Sequence, residues 1–186
     1  MALRRGFKSE ANWYAREIRK ELGLNPESPL CPWEAAAHLD LYVVGLSEVK
    51  APSANAYFQS PSGRKEFSAV RLPAGERMLI IHNDAHDRKR QAANIAHELA
   101  HALLIHPLQP LLNAQGERDQ SESLKLIEEE ASWLGPALLI SEEAALNIAR
   151  RGISIRDASE RYGASEDVIR MRLNVTAAHK RTKSAA

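Results

Sequence analysis

From Arg88 to Ile105 the chain runs without a proline or glycine and is rich in Ala, Leu, Glu and Arg. These are strong helix formers, so the segment predicts a long helix, with Asp84 or Asp87 as its cap. Inside it stands HELAH, His97 to His101. Two residues four apart on a helix differ by about 40° around the axis and lie roughly 5–6 Å apart. His97 and His101 therefore share a face and can grip one metal ion, for which imidazole suits zinc. Glu98 follows the first histidine, which places its carboxylate where it reaches a water at the metal rather than the metal itself. Bound to zinc, a water's pKa falls from 15.7 to about 7; Glu98 then accepts its proton as it attacks a peptide carbonyl and returns it to the leaving amine. Ala96, Leu99, Ala100, Leu103 and Leu104 seat such a helix in a core. A purely structural metal site would need the histidines but not the adjacent carboxylate, so Glu98 favours an enzyme.

The rest of the chain limits how that site is completed. With 186 residues it fits one ordinary domain with room for a small appendage, and can bury a core without disulfides. Cys31 is the only cysteine, which excludes a disulfide framework and any cysteine-based zinc finger and fits a reducing compartment. A metal must be held by His, Asp and Glu. The net charge of +1 excludes a wholesale electrostatic attraction to nucleic acid. The N-terminal segment has basic residues but no apolar run after them, and no stretch approaches the length of a membrane span. The expectation is a cytoplasmic protein with no membrane contact.

Hydrophobic spacing predicts an amphipathic helix from Ser9 to Leu22, a second from Trp33 to Leu39 and a strand from Leu41 to Val44. Three further strands, around Asn55 to Gln59, Phe67 to Leu72 and Met78 to His82, are expected to form an antiparallel meander, because the connections are short. Pro107, Pro110, Asn113 and Gly116 mark a loop, and a helix begins near Ser121 and runs toward Leu139, with Pro136 expected to kink or break it. Short helices follow over Ser141 to Arg150, Ser154 to Arg161 and Glu166 to Leu173; residues 177–186 look like a frayed, disordered basic tail.

A catalytic zinc site usually has three protein ligands, so one is missing from HELAH. Glu128, Glu129 and Glu130 lie on the later helix, beyond a loop long enough to bring that helix back against the first. Each supplies a candidate carboxylate.

Three blocks, RRGFKSEANWYAREIRKELGL, MLIIHNDAHDRKRQAANIAHELAHALLIH and IEEEASWLGPALLIS, together resemble the ImmA/IrrE metallopeptidases, zincins that use Glu as third ligand. The resemblance implies an α+β, zincin-like fold, mostly helical with a small antiparallel sheet of about three strands. It also implies one Zn2+ per chain, a metallopeptidase domain over residues 1–140 and a helical, helix-turn-helix-like segment over 141–176. Glu128, three residues before Ala131, matches the position of the family's third ligand. Ser132, Leu134, Gly135 and Pro136 depart from the family's pattern around it, and Ala100 stands where Gly is frequent. The resemblance further implies that the substrate is a partner transcriptional repressor of the helix-turn-helix, XRE type, whose cleavage releases mobile-element or stress-response genes. An edge strand in the Phe67 to His82 region would hold it extended by strand addition.

Ile153 to Leu173 reads as helix, turn at Gly163 and helix, with Ser165 as cap. From Arg150 onward nine Lys or Arg stand against four acids, an excess that allows weak nucleic-acid contact or an acidic face on a substrate. The rival function is a DNA-binding or protein-binding regulator with a structural metal. His106, five residues past His101, projects about 140° away on a continued helix, which predicts a capping or surface role. His38, His82 and His86 read as surface or satisfied histidines. Tyr57, Tyr162 and these histidines are the open choices for stabilising an oxyanion.

Overall fold

The computed structural model describes residues 3–108 and 122–183. The expected loop positions Pro110, Asn113 and Gly116, and the helix start at Ser121, lie outside these residues. Helix α1 spans Phe7–Glu21 and α2 Pro32–His38, followed by strand β1, Leu41–Gly45. After a short helix α3, Pro52–Phe58, come β2, Ala69–Ala74, and β3, Arg77–His82. The long helices are α4, Arg88–Leu103, and α5, Glu122–Leu139. The C-terminal group is α6 (Glu142–Arg151), α7 (Ile155–Tyr162), α8 (Glu166–Val175) and α9 (Ala178–Lys183).

The sheet is mixed, which corrects the all-antiparallel expectation. Its order is β1-β3-β2: β2 and β3 form an antiparallel hairpin, whereas β1 runs parallel to β3, with Val43 opposite Ile80. The expected strand at Asn55 to Gln59 is helical instead. Pro52 occupies the first helical position, where its fixed φ favours a helix and its missing N–H costs nothing, and Asn55 Nδ2 closes back on the Val49 carbonyl at 2.8 Å. This helical detour lies in the crossover that a parallel pair requires, so Leu41–Gly45 becomes the third strand. β2 is left at an edge, where Pro73 breaks no ladder in the sheet interior. The fold is α+β and zincin-like.

The core lies between the sheet and the two long helices. Ile80, Ile95, Leu99, Ala131, Leu134 and Leu138 are buried there, with Phe7, Ala11, Ala15 and Ile18 of α1 packed against them. A second cluster joins the end of α5 to the C-terminal helices through Leu139, Ile140, Ile148, Ile169 and Leu173. Two buried arginines bind these layers. Arg19 donates to the carbonyls of Leu138 (2.8 Å), Leu139 (3.1 Å), Ala15 and Ser28, and Arg172 donates to that of Ile140 at 2.9 Å. Carbonyls at a helix C-terminus lack helical partners and carry the negative end of the helix dipole, so buried guanidinium groups meet both needs. Burial lowers each guanidinium to a pKa of about 10.

The helix-turn-helix-like segment lies against the body rather than apart from it. Ser165 caps α8 through the Val168 N–H, Gly163 takes the left-handed turn at φ 61, and the Tyr162 hydroxyl donates to the Glu27 carbonyl at 3.0 Å. The expected frayed tail is corrected over its described part: Ala178–Lys183 form α9, with Ala178 buried and Arg181 bound to Glu142 of α6, while residues 184–186 lie outside the described residues. Composition showed its charge but not the partner that orders it. No helix among the described residues is long and apolar enough to cross a membrane.

Candidate metal centre

Helix α4 starts where Asp87 accepts a hydrogen bond from the Arg90 N–H at 3.0 Å, so Asp87 rather than Asp84 is the cap. The buried residues Ala92, Ile95, Ala96, Leu99 and Ala100 fix its rotation. His97 and His101 then point toward α5. Helix α5 comes close because Gly135 has no side chain: a Cβ there would stand 3.2 Å from the Ala96 carbonyl and from the N and Cα of His97. Pro136 does not break this helix, which continues to Leu139. The carbonyl that Pro136 deprives of a donor belongs to Ser132, on an exposed turn where water can meet it. Gly135 and Pro136, which looked like departures from a helical block, are compatible with the approach that brings Glu128 to the histidines.

His97, His101 and Glu128 offer ligand atoms that all lie within 4.8 Å of one another. The two Nε2 atoms are 3.1 Å apart; His97 Nε2 is 3.2 Å from Glu128 Oε2 and His101 Nε2 3.4 Å from Oε1. Donor atoms bonded to zinc at 2.0–2.1 Å in a tetrahedron are about 3.3 Å apart, so two imidazoles and a carboxylate at this spacing fit the ion. His101 and then His97 hold the Glu128 carboxyl well below the usual carboxylate range through hydrogen bonding. Burial pushes the Glu98 carboxyl up, against the opposing charges of His101, His97 and Arg71. Among the described residues no other group of three His, Cys, Asp or Glu is gathered in this way.

Glu130 and His106 also belong to this corner, and here the structure corrects the expected surface role. Helix α4 ends in a Schellman turn: Ile105 N–H bonds to the Ala102 carbonyl, His106 N–H bonds to that of His101 at 2.9 Å, and Ile105 itself is left-handed at φ 53. That turn carries His106 back over His101. His106 is buried; its Nδ1 lies 3.0 Å from His101 Nδ1 and its Nε2 3.2 Å from Glu130 Oε2. Arg4 Nε donates to Glu130 Oε1 at 2.6 Å, and Glu10 grips the same guanidinium. From the sheet, Arg71 of β2 donates through Nη2 to the His106 carbonyl at 2.8 Å, while its buried Nε finds no acceptor among the described residues. A rotation rule for a continued helix missed His106; the signal was Pro107, which stops the helix and makes a reversing turn necessary.

Other candidates stand elsewhere. Tyr57 bonds Glu66, Tyr162 is tied to Glu27, His38 pairs with Glu21 at 2.7 Å, and His86 bonds the Arg64 carbonyl. His82 is buried edge-on to Trp33. None is drawn into the cluster. A model of the peptidase M78 family, described as an IrrE N-terminal-like domain, matches residues 53–174. No curated protein matches the chain.

Proposed function

The chain belongs to the peptidase M78 family and is a metallo-endopeptidase acting on a protein, and on that premise we propose that it cuts a helix-turn-helix repressor of the XRE type with zinc held by His97, His101 and Glu128. The observation that carries the ligand assignment is the mutual approach of their donor atoms at a spacing that suits tetrahedral zinc. When bound, the ion supplies Lewis acidity, which polarises the scissile carbonyl and makes water acidic near neutral pH. Glu98, one residue along from His97, takes the proton of the attacking water and passes it to the departing amine. Its raised proton affinity suits both transfers.

The outer edge of β2 has no strand neighbour among the described residues, and β2 also carries Arg71 to the corner of the site. An extended substrate segment added there presents its carbonyls in sequence. The repressor and the release of mobile-element or stress genes are drawn from the family resemblance. A cytoplasmic setting is proposed from the single free cysteine. Nucleic acid is not added as a partner, because Arg172 is buried, Arg170 is paired with Glu166 and Asp167, and Arg181 is bound to Glu142.

The test is to incubate the purified chain, loaded with zinc, with the repressor encoded beside it and to map any new terminus. Cleavage by the wild type, lost in Glu98→Gln while zinc is retained, is the expected result. An intact repressor removes the substrate assignment; wild-type rates in Glu98→Gln remove the role of Glu98.

A further inference from the structure

Attack on a peptide carbonyl drives negative charge onto its oxygen, and a site that speeds this step places a donor where that charge develops. The side chains that the sequence offers for the task stand elsewhere. The hydroxyls of Tyr57 and Tyr162 donate to Glu66 and to the Glu27 carbonyl, and His38, His82 and His86 lie outside the cluster. We propose that Arg71 is the missing donor: its guanidinium, fixed at the His106 carbonyl, hydrogen-bonds the carbonyl oxygen of the peptide bond being cut. This rests on the reading of His97, His101 and Glu128 as the metal site and of β2 as the edge that the substrate joins.

Arg71 stands opposite Ile80 in the antiparallel pair, and directly opposed residues project from the same face of a sheet. Ile80 is buried in one cluster with Ile95 and Leu99 of α4, so Arg71 leaves the edge strand on the face that α4 covers. Its Nη2 reaches the turn that follows HELAH, at the His106 carbonyl, 2.8 Å away. That single bond, among the described residues, engages a group with five N–H donors. Nε is buried without an acceptor, and Nη1 is the end left to meet an incoming oxygen. The charge of Arg71 also acts on Glu98, which places the guanidinium in the field of the residue that handles the proton. In the reaction, the oxygen of water bonds to the carbonyl carbon and the π pair moves onto the carbonyl oxygen. Arg71 donates to that oxygen without surrendering its proton, because a guanidinium stays charged at neutral pH. One proton of the water passes through Glu98 to the amine nitrogen, and the bond between carbon and nitrogen breaks as the pair returns to form the carbonyl of the product acid.

Cleavage of the repressor encoded beside the chain, by the full zinc-loaded protein, gives kcat and KM. Arg71→Met should lose roughly 10²–10³-fold in kcat with KM within about threefold of the wild type. Arg71→Lys, which keeps the charge but not the planar fork, should stand between the two. Calorimetry with N-phosphoryl-leucyl-alanine, whose tetrahedral phosphoryl group mimics the charged oxygen, should show a loss of affinity in Arg71→Met that parallels the loss of kcat. Repressor affinity in a Glu98→Gln background and zinc content per chain should stay as they were, whereas a purely structural role would lower all of these together. Unchanged kcat or unchanged probe affinity in a folded Arg71→Met variant overturns the proposal. So do parallel losses of zinc and repressor binding, or a wild type that does not bind the probe. If circular dichroism shows Arg71→Met unfolded, Arg71→Lys decides by the same readouts. A repressor left intact by the wild type sinks the substrate reading alone, and the dependence of probe binding on Arg71 still judges the donor.

Discussion

The two ends of α5 are opposites in construction. Near its start, Glu128 turns to His97 and His101 and Glu130 to His106, with Arg4 bound to Glu130 and Arg71 to the His106 carbonyl. At its end, the carbonyls of Leu138, Leu139 and Ile140 are each met by a buried guanidinium, from Arg19 or Arg172. One end gathers imidazole and carboxylate atoms that an added cation would share; at the other, each of these three carbonyls has a guanidinium partner. The difference shows how one helix serves chemistry and architecture: the end beside the site presents ligand atoms, and the far end anchors it.

If that division holds, substitutions at the two ends should dissociate. His101→Ala is expected to abolish zinc retention, measured by metal analysis after dialysis, while the thermal midpoint of the metal-free chain moves little. Arg19→Met should do the reverse. It strands several buried carbonyls at about 1–3 kcal/mol each, so urea unfolding should show a loss of at least about 3 kcal/mol, with zinc still bound one per folded chain. Equal effects of both variants on both readouts would erase the comparison.

Gly135, between the ends, tests how closely they are coupled. Gly135→Ala gains roughly 1 kcal/mol of helix propensity but sets a methyl against His97 backbone at 3.2 Å. Stability should change by less than about 1 kcal/mol while zinc affinity falls roughly tenfold, since the cost is paid in the α4 to α5 spacing. Calorimetric zinc titration checks it.

The chemical end should also carry removable instability. Burial raises the Glu98 pKa above its unfolded value, so the ionised form is disfavoured by folding. Its contribution is most favourable below the unfolded pKa and is lost as pH rises through the folded one. Metal-free Glu98→Gln should therefore melt higher than wild type at neutral pH, and the advantage should shrink as pH falls toward the carboxylate range. Smallest is Ile105→Gly, which relieves a left-handed β-branched residue and should gain about 0.5–1 kcal/mol in denaturant unfolding, with zinc affinity unchanged.

Much of the site was legible in residue order. HELAH predicts the shared face of His97 and His101 because helical periodicity is local, and a cap at Asp84 or Asp87 and the continuous stretch to Ile105 follow from propensities that act over one or two turns. The choice of Glu128 came from a family pattern. The strand at Leu41 was found but its pairing was not: register and direction depend on what the intervening chain does, and Pro52 turned a plausible strand into a helix. His106 was missed because the rotation rule stops applying once the backbone takes a positive φ.

The sequence by itself determined which chemistry is available: two imidazoles and a carboxylate on one helical stretch, a single cysteine, and an acidic triplet downstream. Tertiary structure alone decided that Glu128 meets the histidines while Glu130 turns to His106, because those two side chains leave α5 at angles about 200° apart and only the packing set by Gly135 says what each one finds. It also decided that the basic C-terminal arginines are partly internal, since charge is written in the sequence but burial depends on which carbonyls the fold leaves unpaired.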